Sequence, residues 1–546
     1  MRVHVAIYLG FDLGTQGLTA IAIEVEGSRR EVVCERAFDF DAELSDYGTR
    51  HGVLPDDDPL VATAPPLLWA EALDRMVSLV AAERGFDRAR LRAVAGAAQQ
   101  HGSVYLRAGA APALAALDPG RPLARQLGGI FARKTAPIWM DSSTAVQCGE
   151  ITRALGGPEN VASLTGSRAF ERFTGPQIRK WFQLDADGYG RTATIHLVSS
   201  FLASLLSGTT APIDWGDGAG MNLMHLARRE WAPAALEATA PGLAEKLPPL
   251  TAPWTVVGPL GRYWTERYGL PAARVVAWTG DNPSSLIGTG LVAEGGIAVS
   301  LGTSDTLFGP MREPRVDPAG YGSVFGAPTG DYMGLVCFKN GSLARDRVRR
   351  DYGMDWLRFS EALRATPAGN LGRILVPWFE PEITPTVLAP RMHAYGLDPS
   401  SGASNARAVV EAQMMALANH AGWMGVRVKQ IRATGGAAAN REILQVMADV
   451  FGAEVVVVGG HNASALGAAL RAYHADEKAR GHDLPWPEVV AGFAEPWPAS
   501  GVSPIPAHAA VYRDLRPIYA ACEAHALGAG PDPAFRLEEF RRRYGG

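Results

Sequence analysis

Cysteine is scarce in this chain. Only 4 of the 546 residues are cysteines, and Cys34, Cys148, Cys337 and Cys522 lie far apart. No two have the spacing of a zinc site or a redox-active dithiol. So few thiols are typical of a protein of the reducing cytosol rather than of a disulfide-rich secreted protein.

Long hydrophobic runs and an excess of basic charge are also missing. No apolar run approaches the length of a membrane span, and the stretch 3–10 is too short and strand-like for a signal peptide. The net charge of -4 provides no basic surface for nucleic acid or membranes. We therefore expect a cytoplasmic globular protein with neither nucleic acid nor membrane as a partner.

The chain is too long for a single hydrophobic core, because its 546 residues exceed the usual size of one domain. Apolar runs at 5–12, 18–25 and 31–40 predict a three-stranded meander. Strands alternate with helical patterns again in the last third. This alternation predicts α/β domains, which we divide into residues 1–287 and 288–546.

Other segments predict individual helices. The apolar spacing indicates helices over 67–84 and 194–206, and a further helix from Ser284 onward, after a short strand at 274–277. Asp141 and the two serines after it are interpreted as the cap of a helix that runs through Ala154. The tail from Pro496 has little pattern until a charged helix near its end.

A short turn occurs twice, about half the chain apart, and each copy lies between two strand-like runs. The first is Leu13-Gly14-Thr15-Gln16 and the second is Leu301-Gly302-Thr303-Ser304. A strand that ends at Gly-Thr leaves backbone N–H groups and a hydroxyl directed at one place, which suits a phosphate. No lysine follows a glycine-rich loop, so a Walker-type loop is excluded. Two such turns suggest related domains that face each other across a nucleotide.

Two aspartates lie at predicted strand ends. Asp12 precedes the first turn, where a carboxylate can hold Mg²⁺ through water or simply cap a tight hairpin. Asp281 follows a strand and precedes a helix, a place where ligands bind in α/β domains. It can accept a proton from an attacking hydroxyl. Alternatively Asp281 or Asn282 is an N-cap, with Pro283 in the first helical turn.

Two further motifs predict ligand contacts. His101 follows Gln99 and Gln100 at a strand end, and such side chains suit the hydroxyls of a sugar, although a lone histidine is often structural. Arg172 can bind a hydroxyl, but an ion pair with Glu171 is the simpler interpretation. The bend 434–440 is rich in glycine and alanine, so an adenine can approach its backbone, or it is only a tight turn.

Taken in order, these motifs resemble the FGGY carbohydrate kinases of the actin/Hsp70/sugar-kinase superfamily, most closely the members that phosphorylate xylulose. The resemblance spans about nine-tenths of the chain. Its motifs are Asp12 to Gln16, Gln99 to Ser103, Trp139 to Ser143, Glu171 to Gly175, Asp217 with Gly220 to Leu223, Gly280 to Ser285, Leu301 to Thr303 and Thr434 to Leu444.

The resemblance implies two ribonuclease H-like domains with a central catalytic cleft, and it implies a role for each motif residue. Asp281 corresponds to the catalytic base. The sugar-binding positions are His101, Arg172, Asp281 and Asn282. The nucleotide-binding positions are Gly14, Thr15, Gln16, Gly302, Thr303, Trp356, Gly436, Ala437 and Asn440, and Asp12 holds Mg²⁺ through water. Ala438 and Ala439 depart from the family pattern.

The implied reaction is ATP-dependent phosphorylation of a ketopentose, with D-xylulose as the expected substrate and D-xylulose 5-phosphate as the product. ATP, Mg²⁺ and a small sugar are the expected ligands, and the protein is expected to be a monomer or a homodimer. Another sugar or polyol kinase, for ribulose or L-xylulose, is an alternative. So is a non-catalytic ATP-binding module with an actin-like fold. Gln100-His101 argues against a glycerol kinase, which has Arg-Glu there.

Overall fold

A computed structural model describes residues 5–545. Residues 1–4 and 546, at the ends of the two predicted domains, lie outside the described residues, as does the start of the stretch 3–10. Among the described helices, none combines the length and the apolar character needed to cross a membrane.

The first half of the chain builds a mixed seven-stranded sheet in the order β13-β14-β5-β1-β2-β3, with β15 also beside β5. The strands of this half are β1 Ala6–Leu13, β2 Gly17–Glu26, β3 Arg29–Asp39, β4 Thr63–Ala64, β5 Leu91–Ala98, β6 Ser103–Leu106, β7 Ala136–Pro137, β8 Thr194–Leu197, β9 Ile213–Asp214, β10 Met224–His225, β11 Glu230–Trp231, β12 Leu250–Thr251, β13 Val256–Pro259, β14 Arg274–Val276 and β15 Thr279–Gly280. Its helices are α1 Phe40–Glu43, α2 Pro66–Ala81, α3 Ala110–Ala115, α4 Ala124–Leu127, α5 Ala145–Ala154, α6 Pro158–Thr165, α7 Thr174–Leu184, α8 Ala186–Arg191, α9 Val198–Ser207, α10 Trp215–Gly218, α11 Pro233–Thr239, α12 Arg262–Tyr268 and α13 Asp281–Gly288.

The second half builds a six-stranded sheet in the order β18-β19-β17-β16-β22-β23. Its strands are β16 Gly296–Leu301, β17 Asp305–Met311, β18 Ser323–Gly326, β19 Tyr332–Phe338, β20 Ile374–Trp378, β21 Arg391–Tyr395, β22 Gln430–Thr434 and β23 Glu454–Val457. Its helices are α14 Ser342–Asp351, α15 Trp356–Ala365, α16 Gly402–His420, α17 Arg441–Phe451, α18 Ala463–Ala479, α19 Trp486–Val490, α20 Pro506–Ala526 and α21 Ala534–Tyr544.

The two sheets repeat one arrangement. In each, an antiparallel meander (β1-β2-β3 and β16-β17-β19) continues into parallel strands (β5 and β14, β22 and β23). The two Gly-Thr turns connect the first two strands of each meander. This duplication confirms the two-domain α/β fold with ribonuclease H-like halves. The division after residue 287 stays a prediction.

Helix α18 belongs to the last third of the chain but packs against β1 and β5 of the first sheet. Gly10 makes this possible, because a Cβ there would lie 2.2 Å from the carbonyl oxygen of Ala465. The helix also crosses α13, where a Cβ on Gly467 would lie 1.9 Å from Ser284 O. Small residues therefore let α13 and α18 meet at the junction of the two sheets.

Some predicted elements were wrong. Segment 194–206 is strand β8 followed by α9, because residues 194–197 pair antiparallel with β6. A short buried apolar run has no periodicity that separates a strand from a helix. The helix expected from Ser284 begins at Asp281, with Gly280 at the N-cap. Asp281 and Asn282 are thus its first helical residues, and the N-cap interpretation is wrong.

Two more expectations failed for local reasons. Asp141 does not cap α5, which begins after Thr144; its buried carboxylate instead accepts hydrogen bonds from Ala62 N and from Gln177. The tail beyond Pro496 contains the 21-residue helix α20, with Pro517 inside it. Proline usually marks the end of a helix, so the sequence pattern did not indicate this one.

Candidate active site

Three parallel strands of the first sheet end at one edge. Asp12 on β1 and Thr279 on β15 are both register partners of Ala97 on β5. The residues that follow these strands therefore lie side by side, since carboxyl ends of parallel strands meet at the same edge. This places the first Gly-Thr turn, the segment 99–101 and Asp281 together, as the sequence predicted.

Asp281 is the first residue of α13, and one of its carboxylate oxygens is already bonded. Asn282 donates to Oδ1 through its backbone N over 2.8 Å and through Nδ2 over 3.0 Å. Burial, and next the nearby charge of Asp12, raise the pKa of Asp281 to about 7. A carboxylate with such a pKa is suited to accept a proton near neutral pH.

Asp12 has one bonded and one unbonded oxygen. Asn462 Nδ2 donates to Oδ2 over 3.0 Å, while the buried Oδ1 accepts no hydrogen bond from a described residue. Burial raises the pKa of Asp12. A buried oxygen without a partner, close to a second carboxylate, fits a hydrated Mg²⁺, which takes one or two protein carboxylates and keeps waters and phosphate oxygens as its other ligands.

The first turn offers free donors. Within the turn, Gly14 N donates a hydrogen bond to Gly17 O over 3.0 Å. The amides of Thr15 and Gln16 donate to no described residue. The Thr15 hydroxyl accepts from Trp139 Nε1 over 2.8 Å, which holds the turn against the rim of the cleft. The turn therefore presents two amides to an anion, as its sequence suggested.

The second turn has the same property. Gly302, Thr303 and Ser304 donate no amide hydrogen bond to a described residue, while Gly302 O accepts from Ser342 N over 2.9 Å. The turn packs closely on the glycine-rich bend. A Cβ on Gly435, whose φ is +86°, would lie 2.6 Å from Leu301 O. The bend and the turn therefore form one continuous surface.

His101 and Arg172 both pack against the aromatic ring of Phe173. The imidazole stacks on this ring at a centroid distance of 4.2 Å, and the guanidinium lies 5.9 Å from its centre. Burial, and then the charge of Arg172, lower the pKa of His101 to about 3. Its Nδ1 is 2.8 Å from Gly220 O and must donate to it, which leaves Nε2 as an acceptor.

Arg172 has no ion pair with Glu171 or with any other described residue, so the ion-pair interpretation is wrong. Its guanidinium instead lies over Phe170 and Phe173. Burial lowers its pKa, and the nearby Cys337 on β19 opposes this shift.

A cavity of about 830 Å³ lies in the second half of the chain. It is lined by six of the predicted nucleotide-binding residues, namely Gly302, Thr303, Trp356, Gly436, Ala437 and Asn440. The Asn440 oxygen caps α17 by accepting from Glu442 N and Ile443 N, and its Nδ2 donates to Ser360 Oγ.

A second cavity of about 600 Å³ connects the two halves. Asn282 and Ser285 of α13 line one side, and Ser300 and Thr434 of the second sheet line the other. Gly436 lines both cavities. The aspartate helix and the glycine-rich bend therefore border one gap.

Some residues of the site were not identified from the sequence. Asn462 could have been identified from local sequence, because an asparagine before an alanine-rich helix indicates an N-cap, and it caps α18. Gln100, whose Oε1 accepts from Asn282 Nδ2 over 3.0 Å, was recognised only as a neighbour of His101. No local pattern indicated either long-range bond.

Comparison with known proteins agrees with this geometry. Residues 134–288 match the N-terminal domain of the FGGY family of carbohydrate kinases, and residues 297–475 match its C-terminal domain. Xylulose kinase of Mus musculus is 43% identical over 535 residues, which cover 96% of this chain and 95% of the mouse protein.

Solved structures share the fold. Ligand-bound xylulose kinase from Lactobacillus acidophilus aligns with a TM-score of 0.78 at 19% identity, covering 96% of this chain and 99% of that one. Gluconate kinase from the same organism aligns with a TM-score of 0.79 at 19% identity, with the same coverage. The fold alone therefore does not distinguish between sugars.

Proposed function

Because the chain belongs to the FGGY family of carbohydrate kinases, we propose that it transfers the γ-phosphoryl group of ATP to the 5-hydroxyl of D-xylulose. The product is D-xylulose 5-phosphate. The observation that carries the choice of sugar is the likeness to mouse xylulose kinase, 43% identical over almost the whole of both chains.

Asp281 is the general base. Its Oδ1 is occupied by Asn282, so Oδ2 accepts the proton as the sugar oxygen attacks the γ-phosphorus and the bond to the β-phosphate oxygen breaks. Phosphoryl transfer requires mainly positioning and neutralisation of charge. The raised pKa of about 7 gives this carboxylate a higher basicity than an exposed aspartate.

The sugar is bound by groups on both sides of Phe173. His101 Nε2 accepts a hydrogen bond from one hydroxyl, and Arg172, which has no carboxylate partner among the described residues, donates to others. Asn282 follows the base directly in the first turn of α13. Buried polar groups that are left unpaired without the substrate discriminate strongly between analogues.

ATP lies along the two turns and the bend. The adenosine occupies the cavity beside Trp356, Gly436 and Ala437, and the amides of both turns bind the β- and γ-phosphates. Asp12, with its unpartnered Oδ1, would hold Mg²⁺ through water, and the ion would supply positive charge to neutralise the phosphates. Closure of the two halves excludes water and limits hydrolysis of ATP.

A substrate panel with coupled ADP detection tests this proposal. We expect ADP release that depends on D-xylulose, with weaker or no release with ribulose, L-xylulose, gluconate and glycerol. A better rate with another sugar would reassign the substrate within the family, and ATP binding without sugar-stimulated ADP release would indicate a non-catalytic module. Asp281→Asn tests the base, because near-normal turnover by this variant would exclude it.

A further inference from the structure

A chain of buried polar side chains runs beneath Asp281. Ser199 on α9 donates a hydrogen bond from its hydroxyl to Oδ2 of Asp217 on α10, and both side chains are almost completely buried. Asp217 belongs to one of the motifs that carry the family resemblance, the one that continues with Gly220 to Leu223. A carboxylate is rarely buried so completely unless it is paired.

Gln100 connects Asp217 with the proposed base. Its Oε1 accepts from Asn282 Nδ2, and Asn282 Nδ2 also donates to Asp281 Oδ1. At its other end, Gln100 Nε2 has no hydrogen bond with a described residue, and the same holds for Asp217 Oδ1. These two buried groups are complementary, one a donor and one an acceptor. Helix α10 packs against β15, where a Cβ on Gly216 would lie 2.6 Å from Thr279 Oγ1, so Asp217 lies beside the strand end that precedes Asp281. Burial raises the pKa of Asp217 well above its usual value, and Gln100 opposes this rise.

Gly280 gives the Gln100 side chain its place under the start of α13. A Cβ at this position would lie 2.6 Å from Gln100 Nε2. The amide is thus confined by Gly280, and its oxygen end is fixed by the donor on Asn282. If the amide were turned over, its NH₂ group would face the NH₂ group of Asn282, and its oxygen would face a carboxylate.

We propose that Asp217 is a positioning residue for phosphoryl transfer: its carboxylate holds the NH₂ end of Gln100, so that the amide oxygen orients Asn282 and Asn282 occupies Oδ1 of Asp281. The free Oδ2 of Asp281 then points to the sugar. This inference rests on the proposed role of Asp281 as the base. It assigns catalytic importance to a side chain that the sugar does not touch.

The competing explanation is that Asp217 acts only through its charge. The charged groups that face it are Asp214, Asp281 and Arg471. Arg471 donates to three backbone carbonyls, those of Gly96, Pro253 and Ala277, and not to either carboxylate. A test must therefore separate a hydrogen bond from a change in charge.

Exchanging the donor and the acceptor provides this test. In Gln100→Glu, two carboxylates face each other, and we expect kcat to fall about tenfold or more, since misplaced catalytic groups carry such costs. Adding Asp217→Asn restores a donor opposite the introduced carboxylate and should recover most of the loss. Adding Asp217→Leu instead gives the same net charge without a donor, and should recover nothing. Asp217→Asn alone should lower kcat, but by less than Gln100→Glu does, because its amide oxygen can still accept from Gln100.

The KM for ATP should change little in all these variants, because Asp217 does not line the nucleotide cavity. Asp449→Asn, at an equally buried aspartate in the other half of the chain, is the matched control for stability. It should lower Tm without changing kcat. If Asp217→Asn and Asp217→Leu restore the kcat of Gln100→Glu equally, or if neither restores it, the inference is wrong while the proposed function stays intact. Failure of the unmodified protein to phosphorylate any sugar would overturn the function first.

Discussion

Asn462 donates a hydrogen bond to Asp12 over 3.0 Å, although the two residues are 450 positions apart in the chain. The bond exists because α18, which Asn462 caps, returns from the second half of the molecule to lie on β1. It links the predicted Mg²⁺ carboxylate to the junction between the two halves.

Replacing Asn462 should affect both stability and metal dependence. In Asn462→Ala, the loss of the cap is expected to cost about 1 kcal/mol of unfolding free energy, and the concentration of Mg²⁺ needed for half-maximal activity should change. Asn462→Ser is the control, since serine can cap α18 but is too short to reach Asp12. Its Tm should recover while its metal dependence stays altered. Identical metal titrations for both variants and the unmodified enzyme would exclude a link to Asp12.

The acidic limb of the pH–rate profile should reflect the ionisation of Asp281. Its pKa is raised to about 7, and only the ionised form accepts a proton, so kcat/KM for the sugar should fall as the pH decreases through about 7. Asp12→Asn removes the neighbouring negative charge and should move this limb to lower pH, even though the maximal rate also falls. Steady-state kinetics over a pH series measure both effects. An unmoved limb would show that Asp12 does not influence the titrating group.

The same raised pKa predicts that the proposed base destabilises the fold at high pH. The carboxyl ionises near 3.8 in the unfolded chain and near 7 in the folded one. Its favourable contribution to the free energy of unfolding is therefore complete below pH 3.8 and is lost as the pH rises through about 7. Relative to the unmodified protein, Asp281→Asn should gain several degrees in Tm between about pH 5 and about pH 8. A pH-independent difference in Tm would contradict the raised pKa.

Gly435 should be required for the nucleotide rather than the sugar. An added Cβ would meet Leu301 O at 2.6 Å, so Gly435→Ala must displace the second turn from the bend. We expect a higher KM for ATP, an unchanged KM for the sugar, and a loss of stability above about 1 kcal/mol. Gly452→Ala is the matched control, because its φ is +63° but a Cβ there meets nothing within 4 Å. Equal kinetics for the two variants would refute the role of the close contact.

Local sequence was sufficient for the elements that carry the chemistry. The two Gly-Thr turns, Asp12 at the end of β1 and the glycine-rich bend before α17 could be predicted because each depends on a strand that ends in turn residues. Asp281 was identified correctly as a residue between a strand and a helix, but its N-cap interpretation failed. The difference of one position arises because Gly280 has the extended conformation that begins the helix.

Contacts between distant segments could not be predicted. Arg172 lies over the rings of Phe170 and Phe173 rather than in an ion pair with Glu171. Gln100 Oε1 accepts from Asn282, 182 positions along the chain. Packing of several loops brings these side chains together. No periodicity encodes such neighbours.

The sequence by itself determined which residues could bind phosphate, accept a proton and approach an adenine, since backbone freedom and side-chain chemistry are properties of a few adjacent residues. Only the tertiary structure decided which oxygen of each aspartate stays free. That choice depends on donors from Asn282 and Asn462. Their positions follow from strand order and from how closely glycine lets α18 approach the first sheet.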